Sequence, residues 1–367
     1  MRGVSAELFR PSVEALTPYQ PGKPVEDVQR ELGLERVVKL ASNEGPFPPF
    51  PSAIAAMSAE LELNRYPDGG AYRLHHALAA RHGVHPDEIC VGSGADGCLD
   101  MLSQAALAPG DEVVCGWPSF ASYVIYAAKQ GASVSRVPLR DHRYDLDALA
   151  DAIGPQTKIV YVCMPNNPTG TTNTRAELAA FLDRVPDGVL PVIDQAYFEY
   201  VDRPEYPDVV AEHFVRGSRV VVLRTFSKIF GLAGLRVGYA VGPRNVCEGM
   251  AKIRRPFDVT TTAQAAALAS LDDDTELARR RQLNARGLVE LTRILMKYGL
   301  APVPGAVGNF VFVDLGEDAA PLFERLLREG VIVRPLAGFG APTAVRISVG
   351  SPDELEFLEA ALGRIYS

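Results

Sequence analysis

Residues 220–242, V-V-V-L-R-T-F-S-K-I-F-G-L-A-G-L-R-V-G-Y-A-V-G, open on a β-branched run and pass through a polar turn carrying Thr225, Ser227 and Lys228. They then cross a loop broken by Gly231 and Gly234 and enter a second apolar run from Arg236 onward. The pattern predicts a strand, a turn and a second strand, with the polar groups gathered between two apolar runs. Phe226, Ile229 and Phe230 flank Lys228. Partial desolvation lowers the pKa of such an amine and makes it a candidate for a Schiff base. A lysine taken alone is more often one whose stem lies along apolar surface while its head reaches water.

The neighbours change that balance. Thr225 and Ser227 offer hydroxyls and Arg236 a fixed positive charge, a set suited to holding a phosphate next to a reactive amine. Pyridoxal phosphate is the cofactor that needs both groups.

Outward from this stretch, strands and helices alternate. Upstream are strands at Glu112–Cys115, Ser133–Val137, Lys158–Met164, Leu190–Asp194 and Arg219–Arg224, with helices at Tyr72–His82, Ser119–Gln130, Leu146–Ile153 and Thr174–Val185 between or before them. Apolar strands alternating with amphipathic helices indicate an α/β fold with a mostly parallel sheet covered on both faces. Ligand groups in such sheets gather beyond the carboxyl ends of the strands. The segment I-C-V-G-S-G-A-D reads as a strand and glycine turn opening a helix whose first turn holds Ala95 and Asp96, an anion seat by its free N–H groups.

Nearer the start, the first 20 residues are punctuated by prolines and read as an irregular surface arm; a short helix at Pro24–Leu32 and a strand at Val37–Ala41 follow. Ser52–Leu63 reads as a helix, then a turn bearing Tyr66. Downstream, one long helical stretch runs from about Val259 to Lys297. After it, strands near Phe310–Val313, Val331–Val333 and Val345–Val349 and helices at Ala320–Glu329 and Pro352–Ile365 make a compact α+β cap. The expected division is an arm and part of the small domain over 1–45, a large domain over 46–285 and a small domain over 286–367.

A chain of 367 residues, 47% hydrophobic and with net charge -8, buries a large core and disfavours nucleic acid or anionic lipid as partner. No apolar run is long enough for a bilayer and no secretory h-region follows Met1, so a cytoplasmic location is expected. Cys90, Cys98, Cys115, Cys163 and Cys247 are dispersed and odd in number, which suggests reduced thiols. The histidines show no ligand spacing, and no metal is expected.

Several strand-end residues acquire roles if the ligand is pyridoxal phosphate. Asp194 against the pyridine nitrogen keeps the ring an electron sink, though a lone Asp is more often a cap. Asn167 and Tyr197 can bond the phenolate oxygen, and Phe120 can stack on the ring; an Asx turn and core aromatics are the simpler alternatives. Jointly the motifs S-G-A-D (Ser93–Asp96), P-S-F (Pro118–Phe120), N-N-P-T-G (Asn166–Gly170), D-Q-A-Y (Asp194–Tyr197), T-F-S-K (Thr225–Lys228), G-L-R-V-G (Gly234–Gly238) and R-I-S (Arg346–Ser348) resemble those of the fold-type I aminotransferases over nearly the whole chain.

That resemblance implies a seven-stranded, mostly parallel large domain, amine and keto-acid substrates, and a homodimer with shared active sites. It makes Lys228 the cofactor-binding and proton-shuttling lysine. It puts the cofactor phosphate on Gly94, Ala95, Asp96, Thr225, Ser227 and Arg236, with Tyr66 reaching in from the other subunit. The segments L-T-P-Y-Q-P-G-K-P, K-L-A-S-N-E, N-R-Y-P-D and G-V-I-V-R-P-L-A-G-F-G are most similar to the histidinol-phosphate group of that family, which implies Tyr19, Asn43, Tyr66, Arg334 and Arg346 around the substrate. Gly45, Gln195 and Phe120 depart from the group's usual Asn, Glu and Tyr, and Gly45 and Phe120 are expected near the substrate. The same scaffold is compatible with an aromatic amino-acid aminotransferase or a lyase such as a phosphothreonine decarboxylase.

Overall fold

The computed structural model describes residues 9–14, 16, 22–60 and 62–367. Tyr19 and most of the expected arm lie outside them. The described part of the arm holds a helical turn, Pro11–Glu14, where irregular backbone was expected. Proline suits a first helical position, because the N–H it lacks would be unpaired there.

In chain order, β1 (Val38–Lys39) belongs to the small domain. The large sheet is built by β2 (Ile89–Gly92), β3 (Glu112–Trp117), β4 (Ser133–Pro138), β5 (Thr157–Cys163), β6 (Leu190–Asp194), β7 (Val221–Thr225) and β8 (Gly238–Val241). The chain then returns to the small domain with β9 (Phe310–Asp314), β10 (Val331–Ile332), β11 (Arg334–Pro335) and β12 (Ala344–Ser348).

The seven-stranded sheet has the order β2-β8-β7-β6-β5-β3-β4. Only β8 runs against its neighbours, β2 and β7. The reason is local: residues 226–237 joining β7 to β8 carry a single helical turn, Ala233–Leu235, rather than the crossover helix a parallel return needs. Every residue of β7 is buried, as expected of a central strand covered on both faces. The register pairs Cys163 with Asp194, and Asp194 with Leu223, so the strand ends that carry the polar residues form one edge.

The small domain pairs β11-β12-β9 antiparallel and β1 with β10 parallel. Each domain has its own core, and the 24-residue helix Asp274–Lys297 belongs to both, placing Leu277 in the large core and Leu291, Ile294 and Leu295 in the small one.

Some elements differ from the expectation. The stretch from Val259 is two helices, Thr261–Leu271 and Asp274–Lys297, because Asp273 caps the second by accepting from Glu276 N (3.1 Å). Helix Arg244–Ile253, to which the sequence pattern assigned nothing, buries only Cys247 and Met250 and has glycine inside it, a weak periodic signal. The helix expected from Ser119 starts at Ser122, since the Ser119 hydroxyl is drawn inward between Tyr144 Oη (2.7 Å) and Asn166 Oδ1 (2.8 Å).

Candidate active site

The site grows out of the end of β7. Thr225 Oγ1 accepts from Ser227 N (3.1 Å) and bonds Ser227 Oγ (3.0 Å), which turns the chain and points Lys228 into a cavity between the domains. Arg236 sits in the left-handed region (φ 53°), and its guanidinium donates to Ser227 Oγ (3.3 Å) and Ala233 O (3.2 Å).

Two glycines allow the helix Gly94–Ala106 to start against this cluster. A Cβ on Gly238 would lie 2.4 Å from Ala95 N, and one on Gly94 would lie 2.8 Å from Arg236 Nη2. Among the described residues, neither Ala95 N nor Asp96 N donates to any acceptor. The result is a cradle of backbone N–H groups, two hydroxyls and a guanidinium, which fits a phosphate monoester. The Asp96 carboxylate faces away, accepting from Ser122 Oγ (2.6 Å) and Tyr126 Oη (2.5 Å).

The next strand end supplies the carboxylate. Asp194 accepts from Tyr123 Oη (2.7 Å) through Oδ2 and from Ala196 N (3.0 Å) through Oδ1. Burial pushes its carboxyl above the usual range, and those two donors pull it back. Burial and then the Arg346 charge lower Lys228 to about 8, while Glu44 and Asp194 act the other way. An amine in that state is a usable nucleophile and base near neutral pH. Its Nζ lies 5.4 Å from the centre of the Tyr197 ring, and the Tyr197 hydroxyl accepts from Asn43 Nδ2 (2.9 Å).

The cap closes the far side. Arg346 lies directly opposite Arg334 across β11 and β12. Its guanidinium donates to Asn167 Oδ1 and to Ala41 O (2.6 Å). Both arginines lie over the Phe339 ring, at 5.4 and 5.8 Å. Both guanidiniums line the same cavity, an arrangement suited to an anion.

The cavity therefore brings together Asn43, Ala95, Asp96, Phe120, Asn167, Asp194, Tyr197, Thr225, Ser227, Lys228, Arg236, Arg334 and Arg346. Gly94 stands behind it. Tyr66 is not in it: the residue is 81% exposed on the surface and stacks on Phe257 at 4.5 Å. Gly45 corrects the expectation that it lies near the substrate: its missing side chain would face Tyr200 Oη (3.6 Å) and Lys228 O (3.5 Å), in a separate cavity. Gln195 is wholly buried, its Nε2 donating to Tyr206 Oη (3.0 Å) and Pro207 O (2.9 Å) and its Oε1 accepting from Arg224 Nη2 (3.0 Å).

Sequence reasoning missed Tyr123, and it left Ser348 and Asn309 without roles. Ser348 Oγ accepts from Asn43 N (2.9 Å), and Asn309 Nδ2 donates to Asn43 O (3.0 Å), so both hold Asn43 in place. The one available signal for Tyr123 was its place three residues after Phe120, on the same side of the coming helix. Among the described residues no cluster of metal-ligating side chains occurs, and no helix is long and apolar enough to cross a membrane.

A lysine of lowered pKa, a buried carboxylate and a phosphate cradle at the carboxyl ends of a mostly parallel sheet define a transferase of the pyridoxal-phosphate type of fold. The chain belongs to the family "Aminotransferase class I and II", whose family model matches residues 35–362. It is 45% identical over 361 residues to histidinol-phosphate aminotransferase 2 of Pseudomonas aeruginosa, covering 98% of this chain and 97% of that one. It is 44% identical to histidinol-phosphate aminotransferase of Moorella thermoacetica, covering 97% and 92%. Among solved structures, histidinol-phosphate aminotransferase from Sinorhizobium meliloti in complex with pyridoxal-5'-phosphate superposes with a TM-score of 0.89 at 31% identity, over 99% of this chain and 98% of that one. Aspartate aminotransferase of Thermus thermophilus with maleate superposes at 0.83 and 28% identity, over 100% and 99%.

Proposed function

We propose that the chain is a pyridoxal-phosphate-dependent aminotransferase that interconverts imidazole acetol phosphate plus L-glutamate and L-histidinol phosphate plus 2-oxoglutarate, in histidine biosynthesis. The observation that carries this reading is the placement of one amine, Lys228, in a cavity that also holds two anion seats. One seat, formed by the helix start with Thr225, Ser227 and Arg236, suits the cofactor phosphate. The other, Arg334 and Arg346, suits the substrate phosphate, because two guanidiniums match a dianion. The names of the similar enzymes support the same assignment.

When bound, the cofactor supplies a protonated pyridine ring that takes up the electron pair released at the amine-bearing carbon of the substrate. Asp194 would hold the ring N–H as an ionised partner, and Tyr123 and Ala196 N keep that carboxylate in place. Tyr197 and Asn167 would bind the ring oxygen and Phe120 would pack against the ring, since all three line the cavity. Lys228 Nζ would hold the cofactor and would accept the proton released at the amine-bearing carbon of the substrate, a task its lowered pKa suits. Asn43, tied to Tyr197 and Ser348, positions the substrate from the small-domain side.

The proposal includes a homodimer in which Tyr66 of one protomer completes the phosphate cradle of the other. Its exposure and its stacking on Phe257, itself 44% exposed, support this. A cytoplasmic location is consistent with five cysteines that are all buried and unpaired. Incubation of the purified enzyme with L-histidinol phosphate and 2-oxoglutarate tests the reaction: glutamate and imidazole acetol phosphate should form in equal amounts. Glutamate formed only from phenylalanine would overturn the substrate assignment.

A further inference from the structure

A second cavity, of about 260 Å³, lies behind Lys228 where the two cores meet. Phe47 and Ile229 wall it on one side, Leu283 of the long helix lies along it, and Val349 and Leu355 of the small domain face them. Arg280 fixes the wall, with its guanidinium donating to Ile229 O (3.1 Å) and Pro48 O (2.6 Å). The space is therefore held open by hydrogen-bonded backbone.

Among the described residues, two polar groups in this lining have no hydrogen-bond or ion-pair partner. Tyr200 is only 8% exposed, and its hydroxyl makes no hydrogen bond among the described residues. The phenol lines the cavity and is placed to donate to or accept from an occupant. The missing side chain of Gly45 leaves the space in front of it open, since a Cβ there would sit 3.6 Å from the Tyr200 oxygen. At the mouth, Arg286 makes no ion pair among the described residues, whereas its neighbour Glu290 is taken by Arg293 (2.7 Å).

We propose that this cavity binds a small aromatic monocarboxylate bearing a hydroxyl or carbonyl oxygen, with the ring on the apolar walls, the oxygen on Tyr200 and the carboxylate on Arg286. Apolar walls with few convergent polar groups are the usual form of a small-molecule site. The site is separate from the cavity that Lys228 enters, yet Ile229 borders it, so an occupant touches the segment carrying the reactive amine.

The test is a fluorescence titration of the holoenzyme with 6-hydroxy-2-naphthoate, compared with four variants. Saturable binding is expected in the wild type, weakened about tenfold in Arg286→Ala by loss of one charge partner, weakened also in Tyr200→Phe, and abolished in Gly45→Asn, whose side chain fills the space and reaches the Tyr200 hydroxyl. Arg286→Ala should leave turnover unchanged. Lys228→Ala should bind the probe as the wild type does. Equal affinity in wild type, Arg286→Ala and Tyr200→Phe, loss of binding in Lys228→Ala, or no saturable binding in the wild type would each overturn the proposal.

Discussion

At the scale of the residue, Lys228 carries a measurable electrostatic cost. Its pKa is lowered from 10.5 to about 8, so between those values the unfolded chain binds more protons than the folded one. Folding stability of the cofactor-free protein should therefore rise with pH across that window, with the full cost present below about 8. Removing the amine removes the cost. Lys228→Met should need about 1–2 kcal/mol more to unfold at pH 7, after discounting for the open cavity around the amine. The gain should fade as pH approaches the upper limit, as urea melts of the apo forms will show; a gain independent of pH contradicts the assignment.

Tyr123 makes a second case. Its phenol is one of two donors holding Asp194 ionised, and a hydrogen bond to a charged group contributes about 1.5–3 kcal/mol. Tyr123→Phe should lower turnover by about ten- to a hundredfold with cofactor still bound, measured by steady-state rates beside the visible band of the loaded enzyme. Undiminished turnover would show that Asp194 does not need this donor. The strand-end residues, Lys228 and Asp194 among them, were legible because each sits in a local motif. Tyr123 lay in no motif, and Ser348, though in R-I-S, showed no role, since they act on partners 71 and 305 residues away, which no local pattern encodes.

At the scale of the element, the anion cradle depends on how closely a helix start approaches a strand. Gly238 stands between Ala95 N and Arg224 O, and an added Cβ would meet them at 2.4 and 3.0 Å. Those atoms are backbone and cannot swing aside, so Gly238→Ala should displace the start of helix Gly94–Ala106. The expected outcome is a loss of cofactor affinity of at least about tenfold, read by titrating apoenzyme with pyridoxal phosphate; unchanged affinity would mean that the helix start does not seat the phosphate. Strong apolar runs such as β6 were legible to the residue. Helix Arg244–Ile253 was not, because its buried face is two residues wide, and the break at Asp272–Asp273 was hidden inside a continuous helical pattern.

At the scale of the whole molecule, the two-core architecture was legible from the switch between alternating α/β units and a short α+β tail. The side on which Gly45 faces was not, because it depends on how the domains meet. The proposed homodimer can be tested through Tyr66, which is exposed and stacks on Phe257. If Tyr66 serves the other protomer, mixing inactive Lys228→Ala chains with impaired Tyr66→Ala chains should restore about a quarter of wild-type activity, since half of randomly paired dimers then hold one intact site. Absence of recovery, with exchange of chains verified, would place Tyr66 in its own site.

The central claim is that Lys228 works between one seat for the cofactor phosphate and another for a substrate phosphate. Single-turnover mixing of the loaded enzyme with L-histidinol phosphate, unphosphorylated L-histidinol and L-phenylalanine, followed by loss of the visible cofactor band, tests it most directly. The account predicts rapid loss with histidinol phosphate, a rate lower by about a hundredfold or more with histidinol, the loss of two charge-assisted contacts, and a slower reaction with phenylalanine, which has no phosphate. Equal rates with histidinol and histidinol phosphate, or a faster reaction with phenylalanine, would contradict it and leave Arg334 and Arg346 as a carboxylate clamp.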